Sequence, residues 1–332
     1  MPTKHVKQKT SRAVTGAKLH DVVIVGGGAA GLNAALILGR ARRSVVLCDD
    51  GHPRNAVADK MHGFMSRDGT PPRKLLEIAR AELKRYPSVT VVKSRIDRAK
   101  ATRTSFALNS KVGKLFTGKR LLLANGVRDK LPDIEGLAEF WGRSVFVCPF
   151  CDGWEIRDRS VIVYGKGKET VALAQELYGW TNRVSVCVEN ATALTAMQRR
   201  WIQLTNCRLV KGRLKRLVGE QRSLRAVEMA NGDWLSCDAL FLATPLRQTS
   251  DIAESLGCKI DKKGSIVVDD KCRTNVRGCY AAGDAVTNVH QVILAAASGV
   301  RAAVAICTDL LCEEANAITA ASARRRRGSS LS

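Results

Sequence analysis

The sequence predicts an α/β fold with two Rossmann-like nucleotide-binding domains, the second inserted into the first. A pattern of apolar strand, glycine turn and helix occurs twice, and a return segment follows the second copy. Short apolar runs rich in branched residues fit strands buried on both faces, as in parallel sheets. A strand, turn, helix and strand in this order form a βαβ unit. The predicted strands are residues 21–26, 44–48, 89–92, 121–124, 160–164, 184–188, 239–243, 265–268 and 278–282, and the predicted helices are residues 32–41, 74–86, 169–178 and 289–312.

The composition excludes a wholly disordered chain and concentrates positive charge at both ends. Hydrophobic residues make up 45% of the 332 residues, which is enough to build a core. The formal net charge is +23, but residues 1–20 carry five basic residues and no acid, and residues 324–327 are all arginine. We predict disordered basic tails at residues 1–19 and 315–332, because blocks of like charge are usually solvated. Binding of nucleic acid is therefore expected only through these tails.

The apolar runs and the cysteines indicate where the protein resides. No apolar run reaches the roughly 18–20 residues that a membrane-spanning helix needs. The first 20 residues also lack the continuous apolar segment of a secretory signal. The eleven cysteines are an odd number, and most stand alone in apolar runs, which is typical of buried thiols in a reducing compartment. We therefore expect a cytoplasmic protein without a membrane partner.

The first candidate site is the glycine turn after the first predicted strand. Gly26, Gly28 and Gly31 have the G-x-G-x-x-G spacing, and Asp49 ends the next strand 23 residues after Gly26. The first glycine permits a tight turn, the second lets the backbone approach a pyrophosphate, and the third allows close helix packing. The helix N-terminus supplies amides for phosphates, and the acid can bind a ribose hydroxyl. The predicted dinucleotide site consists of Gly26, Gly28, Ala29, Ala30, Gly31 and Asp49.

A second glycine turn follows the strand predicted at residues 160–164. It contains Gly165 and Gly167, with Thr170 as a small third residue and Glu189 at the end of the next strand. Two glycines of three are a weaker signal, but an enzyme that uses both a flavin and a nicotinamide needs two such turns. The turn therefore predicts a site for NAD(P)H. An acid at the position of Glu189 repels a 2′-phosphate, so the prediction leans towards NADH.

Cys148 and Cys151 form a Cys-x-x-Cys pair just before the second glycine turn. A zinc site would need two further ligands, and the sequence offers no second pair or histidine cluster, so no metal is expected. Two intervening residues let the sulfurs close a small, reducible ring, which favours a redox disulfide. Asp152 follows directly and is interpreted either as a proton donor and acceptor during exchange or as an ordinary turn residue.

Gly283 and Asp284 follow the strand predicted at residues 278–282. An acid at this junction can bind a ribityl hydroxyl of a flavin cofactor or cap the next helix. The two roles are compatible in one residue.

The order of these motifs resembles the low-molecular-weight thioredoxin reductase family of FAD-dependent pyridine nucleotide-disulfide oxidoreductases. The resemblance spans about residues 20–312 and depends on the segments at residues 21–31, 148–153, 165–170 and 281–292. It implies FAD at the first glycine turn, NAD(P)H at the second and a homodimer. The implied domains are an FAD-binding domain at residues 20–130 and 248–314, and an NAD(P)H-binding domain with the redox pair at residues 131–247.

Some segments are more similar to a divergent branch, the thioredoxin-reductase-like proteins that include flavin-dependent dithiol oxidases of natural products. Residues 49–55 and 62–64 resemble loops of that branch, whereas Asp152 matches the true reductases. By this resemblance, the FAD site also includes Arg54, Asn55, His62, Gly126, Gly283, Asp284, Gln291 and Val292.

The resemblance implies an electron relay from NAD(P)H through FAD and the Cys148–Cys151 pair to a thioredoxin-like protein or a small disulfide. Cys151 is expected to face the flavin and Cys148 to perform the exchange, with hinges near residues 130–133 and 245–247. One alternative is a dithiol oxidase that forms a disulfide in a small molecule and passes the electrons to oxygen. Another is a non-catalytic flavin-bearing protein that binds nucleic acid or a membrane surface through its basic ends.

Overall fold

The computed structural model describes the backbone of residues 18–328 and the side chains up to residue 322. The predicted N-terminal tail at residues 1–19 lies almost entirely outside the described residues, as do residues 329–332. The predicted α/β class with two Rossmann-like units is confirmed, because two separate sheets, each with parallel central strands, are flanked by helices.

The first part of the chain builds a mixed sheet with a parallel centre. Its elements are β1 (Leu19–Val25), α1 (Ala29–Arg40), β2 (Val45–Asp49), α2 (Pro72–Leu83), β3 (Val89–Lys93), β4 (Ile96–Ala101), β5 (Phe106–Ser110), β6 (Leu115–Leu123) and β7 (Val127–Asp129). The strand order is β3-β2-β1-β6-β5-β4. Strands β1, β2, β3 and β6 pair in parallel, whereas β4 and β5 add an antiparallel edge.

The inserted segment builds the second sheet. Its elements are α3 (Leu137–Phe140), β8 (Val145–Phe146), α4 (Pro149–Asp152), β9 (Val161–Gly165), α5 (Lys168–Leu177), β10 (Val184–Val188), α6 (Ala196–Leu204), β11 (Arg208–Lys211), β12 (Leu214–Glu220), β13 (Ser223–Met229), β14 (Trp234–Ser236) and β15 (Ala239–Ala243). Five strands pair in parallel in the order β11-β10-β9-β15-β8, and β12, β13 and β14 form an antiparallel sheet beside them.

The chain then returns to the first sheet. The remaining elements are β16 (Leu246–Gln248), α7 (Ile252–Ser255), β17 (Cys279–Ala281) and α8 (Val292–Gly328). Strand β17 pairs in parallel with β6, so residues from both sides of the insertion share one sheet. Strands β7 and β16 pair with each other and form a two-stranded ribbon where the chain leaves and re-enters the first domain. The strand predicted at residues 265–268 is wrong, because only an isolated bridge between Ile260 and Ile266 forms there.

Close packing of α1 on α8 organises the core of the first domain. A Cβ atom on Gly299 of α8 would lie 2.1 Å from the carbonyl oxygen of Ala30, so only glycine permits this crossing. Ile24, Leu38 and Ile306 are fully buried between the helices and the sheet. Each such side chain contributes about 1.5–3 kcal/mol through burial of apolar surface.

The last helix is longer than predicted. It continues to Gly328 through residues 315–328, which we predicted as disordered, because this stretch is rich in alanine, the strongest helix former. Within the described residues, the portion Val292–Ser322 is long and apolar enough to cross a membrane, judged by length and composition alone. Its first half buries Ala302, Ala303 and Leu310 against the first domain, which is typical of a core helix.

Candidate active site

A cavity of about 1060 Å³ lies at the carboxyl ends of the parallel strands of the first domain and extends to the inserted domain. This edge of an α/β sheet is where cofactors and substrates bind. Most of the predicted FAD residues and the cysteine pair therefore lie around one space. The lining residues among those predicted are Gly26, Gly28, Ala29, Ala30, Asp49, Arg54, Asn55, His62, Gly126, Cys148, Cys151, Asp152, Gly283, Asp284, Gln291 and Val292.

The first glycine turn forms an open cradle at the N-terminus of α1. Gly26 has a φ of +106°, and a Cβ atom there would lie 2.2 Å from the carbonyl oxygen of Ala124. A Cβ atom on Gly31 would lie 1.9 Å from the oxygen of Gly26, so Gly31 serves close packing and does not line the cavity. A Cβ atom on Gly28 would have no neighbour within 4 Å. The backbone at Gly28 is therefore exposed to the cavity, as pyrophosphate binding requires.

Asp49 is held at the end of β2 by two donors. Its Oδ1 accepts a 3.0 Å hydrogen bond from the amide of Gly27, and its Oδ2 accepts a 2.7 Å bond from Nη2 of Arg80. These contacts fix the carboxylate beside the glycine turn, where it can accept from a ribose hydroxyl. Sequence reasoning missed Arg80, because nothing in the pattern of α2 distinguishes it from the other basic residues there.

Arg54 lies between two acids, Asp129 and Asp284, that also line the cavity. Its Nε and Nη2 donate to Asp129 at 2.8 and 2.6 Å, and its Nη1 lies 3.7 Å from Oδ2 of Asp284. Burial raises the pKa of Asp284, and the charge of Arg54 opposes that rise. The pair offers both a donor and an acceptor to a polyhydroxyl chain, which matches the predicted contact with a ribityl group.

Asn125 lies between β6 and β7 and contacts Thr249, which follows β16. Its Nδ2 donates to Oγ1 of Thr249 at 2.9 Å, and that hydroxyl donates to the carbonyl oxygen of Asn125 at 2.8 Å. Gly126 follows with a φ of +68° and open space around its Cβ position. The reciprocal bonds explain how asparagine is accommodated before this glycine.

The start of α8 lines one end of the cavity. The amide of Gly283 donates to Oγ of Ser298 at 2.7 Å, which ties the turn after β17 to the helix. Gln291 and Val292 line the cavity at the first turn of α8. Amides at a helix N-terminus carry partial positive charge, so this end of the cavity favours electron-rich ligand groups.

Cys148 and Cys151 form a disulfide on a short helical turn that faces the cavity. Their Cα atoms lie 5.3 Å apart. The amides of Cys151 and Asp152 both donate to the carbonyl oxygen of Cys148 at 3.2 Å. A Cβ atom on Gly153 would lie 2.9 Å from the ring of Trp180, so glycine lets the turn pack closely on the domain behind it.

Asp152 has the protonation behaviour of an acid–base group. Burial raises the pKa of Asp152 to about 7, the negative charge of Glu155 adds to the rise, and His62 opposes it. A carboxyl group with a pKa near the working pH can both give and take a proton beside the cysteines. A pKa raised in this way is what the acid–base interpretation of Asp152 requires.

His62 lies at the cavity wall but has other partners than a cofactor. Its Nδ1 lies 3.3 Å from Oδ2 of Asp68, and its Nε2 lies 3.4 Å from Oε1 of Glu155. Both ring nitrogens thus face carboxylates. Sequence analysis placed His62 in the FAD site and did not foresee this contact between the two domains.

The second glycine turn differs from the first. Gly167 is buried, and a Cβ atom there would lie 3.2 Å from Cβ of Ala193, which belongs to the segment after β10. Nε2 of Gln198 also donates to the carbonyl oxygen of Lys168 at 2.9 Å. This turn therefore has less open space at Gly167 than the first turn has at Gly28.

The other residues predicted at the second turn lie outside the cavity described above. The Thr170 side chain is fully buried, and a Cβ atom on Gly165 would lie 2.5 Å from its hydroxyl oxygen. Thr170 therefore packs α5 on β9, and its hydroxyl oxygen has no hydrogen-bond partner among the described residues. Glu189 stands at the end of β10 as predicted, where its Oε1 accepts a hydrogen bond from the hydroxyl of Tyr164.

The cavity contains two polar groups that sequence reasoning missed. The hydroxyl oxygens of Ser94 and Ser250 are buried and have no hydrogen-bond partner among the described residues, and both residues line the cavity. Buried hydroxyls are normally paired, so these two are suited to bind a ligand. No local pattern marks them in the sequence. Together with the open cradle at Gly28, they fit a dinucleotide such as FAD.

The fold and the site define a class of protein. An open dinucleotide cradle and a disulfide share one cavity, and the carboxyl group of Asp152, with its raised pKa, directly follows the disulfide in the chain. This arrangement is that of an oxidoreductase that exchanges electrons between a bound dinucleotide cofactor and a pair of thiols.

The chain belongs to the pyridine nucleotide-disulphide oxidoreductase family, whose sequence profile matches residues 20–299. A probable thioredoxin reductase of Arthroderma benhamiae is 30% identical, over 90% of this chain and 82% of that protein. A putative thioredoxin reductase from Bacillus anthracis has a TM-score of 0.84 and 31% identity, over 89% of this chain and 99% of that one. The crystal structure of HlmI has a TM-score of 0.86 and 35% identity, over 93% and 99%.

These relatives confirm that the chain is a thioredoxin-reductase-like oxidoreductase, an enzyme of a family that uses FAD and a pyridine nucleotide. The non-catalytic alternative is therefore set aside. The basic ends that motivated it lie mostly outside the described side chains.

Proposed function

We propose that this enzyme passes electron pairs between FAD and an external disulfide or dithiol through the Cys148–Cys151 pair. The observation that carries the proposal is the shared cavity, in which the disulfide faces the same space as the open cradle at Gly28. A redox disulfide needs direct access to its electron partner, and this arrangement provides it.

FAD bound in this cavity would supply a two-electron carrier next to the disulfide. The residues that would hold it are the cradle at Gly28 for the phosphates, Asp49 for a ribose, and Arg54 with Asp284 for the ribityl chain. The unpartnered hydroxyls of Ser94 and Ser250 complete the polar contacts.

The cysteines perform the exchange in two steps. The thiolate of Cys148 attacks an external disulfide, forms a mixed disulfide and releases one thiolate of the substrate. The thiolate of Cys151 then attacks the sulfur of Cys148, releases the second substrate thiolate and re-forms the Cys148–Cys151 disulfide. Asp152 gives a proton to the departing sulfur, for which its pKa of about 7 is suited.

The short helical turn with Cys148 and Cys151, called the redox turn here, has to face the flavin in one step and the substrate in the other. The ribbon of β7 and β16 is the double connection between the domains, and the hinges expected near residues 130–133 and 245–247 lie at or next to it. We propose that the inserted domain rotates about this connection.

In the first candidate direction, NAD(P)H supplies the electrons and the dithiol reduces a thioredoxin-like protein or a small disulfide. The names of the relatives from Arthroderma benhamiae and Bacillus anthracis support this direction. Glu189 at the end of β10 favours NADH over NADPH, because a carboxylate repels a 2′-phosphate. A cytoplasmic homodimer is part of this proposal.

The second candidate is a dithiol oxidase, and the tighter second glycine turn favours it. A Cβ atom on Gly167 would lie 3.2 Å from Cβ of Ala193, whereas the Cβ position of Gly28 has no neighbour within 4 Å. In the oxidase, two substrate thiols become a disulfide, and oxygen takes up the two electrons and two protons to give hydrogen peroxide. The second glycine turn is then not needed for catalysis.

Anaerobic reduction of the purified flavoprotein tests the proposal and separates the two directions. Bleaching of the flavin by NADH or NADPH within seconds supports the reductase, and bleaching by dithiothreitol alone supports the oxidase. The variants Cys148→Ser and Cys151→Ser should keep the flavin and lose exchange with 5,5′-dithiobis(2-nitrobenzoate) or dithiothreitol. A protein purified without flavin, or full exchange in both variants, would overturn the proposal.

A further inference from the structure

We propose that His62, oriented by Asp68 and directed at Glu155, is a proton relay for Asp152 that is assembled only while the redox turn faces the FAD-binding domain. This inference rests on the proposed thiol–disulfide chemistry and adds the path by which its proton reaches solvent.

The orientation of His62 is fixed from one side. Oδ1 of Asp68 accepts a 2.9 Å hydrogen bond from the amide of Gly63, and its Oδ2 lies 3.3 Å from Nδ1 of His62. The bond from Gly63, followed by the contact with His62, lowers the pKa of Asp68, so this carboxyl group is ionised near neutral pH. A carboxylate at Nδ1 holds the imidazole in one orientation and leaves Nε2 to exchange a proton.

The other nitrogen points across the boundary between the domains. Nε2 of His62 lies 3.4 Å from Oε1 of Glu155, three residues after Asp152 on the redox turn. The His62 side chain is one-fifth exposed and that of Glu155 is about two-fifths exposed, so both offer Asp152 a path to solvent. Asp152 itself is only partly exposed, and burial is the largest cause of its raised pKa.

Asp152 needs such a connection because it has to be recharged in every cycle. Opening the Cys148–Cys151 disulfide takes two electrons and one proton and gives one thiol and one thiolate. Asp152 supplies that proton, and His62 returns one from solvent to Asp152. In the oxidative direction the same proton leaves by the same route. The ionisable groups that act on Asp152 are Glu155 on its own turn and His62 from the first domain. Lys166, Glu169 and Glu176, on or beside α5, line the same cavity.

The relay depends on the relative position of the domains. His62 and Asp68 belong to the loop before α2 in the first domain, whereas Asp152 and Glu155 belong to the inserted domain. A second ion pair, between Arg143 and Asp59, crosses the same boundary. Rotation of the inserted domain about the β7–β16 ribbon would separate His62 from Glu155. Asp152 therefore exchanges its proton with the relay only when the disulfide faces the flavin.

The test is the pH dependence of anaerobic flavin reduction by dithiothreitol, followed by stopped-flow absorbance between pH 5.5 and 9. In His62→Asn the rate should fall about tenfold at pH 7, because the relay contributes part of a general acid–base effect. The midpoint of the pH profile should also move upward, because His62 lowers the pKa of Asp152. Free imidazole should restore the rate of His62→Ala.

The matched control is His20→Asn. His20 lies on β1 outside the cavity, and its Nδ1 lies 3.0 Å from Oγ of Ser44. This variant should keep the wild-type rate and midpoint. Flavin content and thermal melting of each variant show whether it is folded.

The outcomes separate the relay from the proposed function. A wild-type rate and midpoint in His62→Asn would overturn the relay, as would a loss that is equal at all pH values and not rescued by imidazole. Unchanged reduction in Cys148→Ser would overturn the proposed function itself. Loss in Cys148→Ser together with the shifted profile in His62→Asn supports both.

Discussion

The hydroxyl of Tyr164 donates a 2.6 Å hydrogen bond to Oε1 of Glu189 and thereby joins β9 to the end of β10. Burial raises the pKa of Tyr164, and the bond to Glu189 acts in the same direction, so the phenol remains a donor near neutral pH. The carboxylate is thus held as an acceptor at the strand end, where the ribose of a dinucleotide binds in this fold.

Replacing Glu189 by arginine should change the nucleotide preference. Arginine removes the negative charge and supplies a guanidinium that can bind a 2′-phosphate. We expect the ratio of kcat/KM for NADPH to that for NADH to rise about tenfold, which is about 1.4 kcal/mol. The measurement is anaerobic flavin reduction, and the control is Glu220→Arg on the exposed end of β12. An unchanged ratio would show that Glu189 does not select the nucleotide. If neither NADH nor NADPH reduces the flavin, the oxidase is favoured.

Replacing Gly28 by valine should displace FAD without unfolding the protein. Gly28 has a φ of −78°, which any residue adopts, and its Cβ position has no neighbour within 4 Å. The added methyl groups would fill the space where the backbone approaches a phosphate. We expect flavin absorbance per protein to fall at least about tenfold at unchanged circular dichroism, a loss of about 1.4 kcal/mol or more in binding. Gly179→Ala, away from the cavity, should keep its flavin.

A Gly28→Val protein that is as yellow as the wild type would show that the cofactor binds elsewhere. A protein that has lost both flavin and secondary structure would show that Gly28 is needed for folding.

Replacing Asp152 by asparagine should slow turnover and change how stability depends on pH. The pKa of Asp152 is raised to about 7 in the folded protein, against about 3.9 for an unfolded aspartate. Between these values the folded state binds more protons than the unfolded state, so Asp152 makes stability fall as the pH rises. Asparagine does not titrate, so Asp152→Asn removes both this decrease in stability with rising pH and the proton donor. We expect turnover to drop about 100-fold.

Urea denaturation measures the stability part of this prediction. The urea midpoint of Asp152→Asn relative to the wild type should be higher at pH 8 than at pH 4.5. Asp97→Asn, an exposed position on β4, should show no such difference. Equal effects at both pH values would contradict the raised pKa.

Replacing Gly299 by valine should destabilise the first domain. A Cβ atom there would lie 2.1 Å from the carbonyl oxygen of Ala30, and backbone cannot move away as a flexible side chain does. We expect a loss of about 3 kcal/mol or more, at the upper end for an overpacked core. Thermal melting detects it as a lower Tm, with Ala297→Val on the exposed side of the same helix as control. A Tm equal to that of the control would show that α1 and α8 separate easily.

Local patterns predicted much of the fold and part of the site. The apolar runs at β1, β2 and β10, the glycine turns and the Cys148–Cys151 pair all appear where the sequence places them. Each depends on periodicity or on spacing over a few residues. The long helix α8 was cut short in the prediction, because the arginines at residues 324–327 were given more weight than the alanines before them.

The sequence by itself determined the class of this protein: two βαβ units with glycine turns and a redox pair between them. The tertiary structure alone decided which turn is open. The Cβ position of Gly28 is open to the cavity, whereas that of Gly167 lies 3.2 Å from Cβ of Ala193, 26 residues further along the chain. It also decided that His62 contacts Glu155 across the domain boundary. Such contacts join residues far apart in the chain, so they follow from how the domains pack and not from any local pattern.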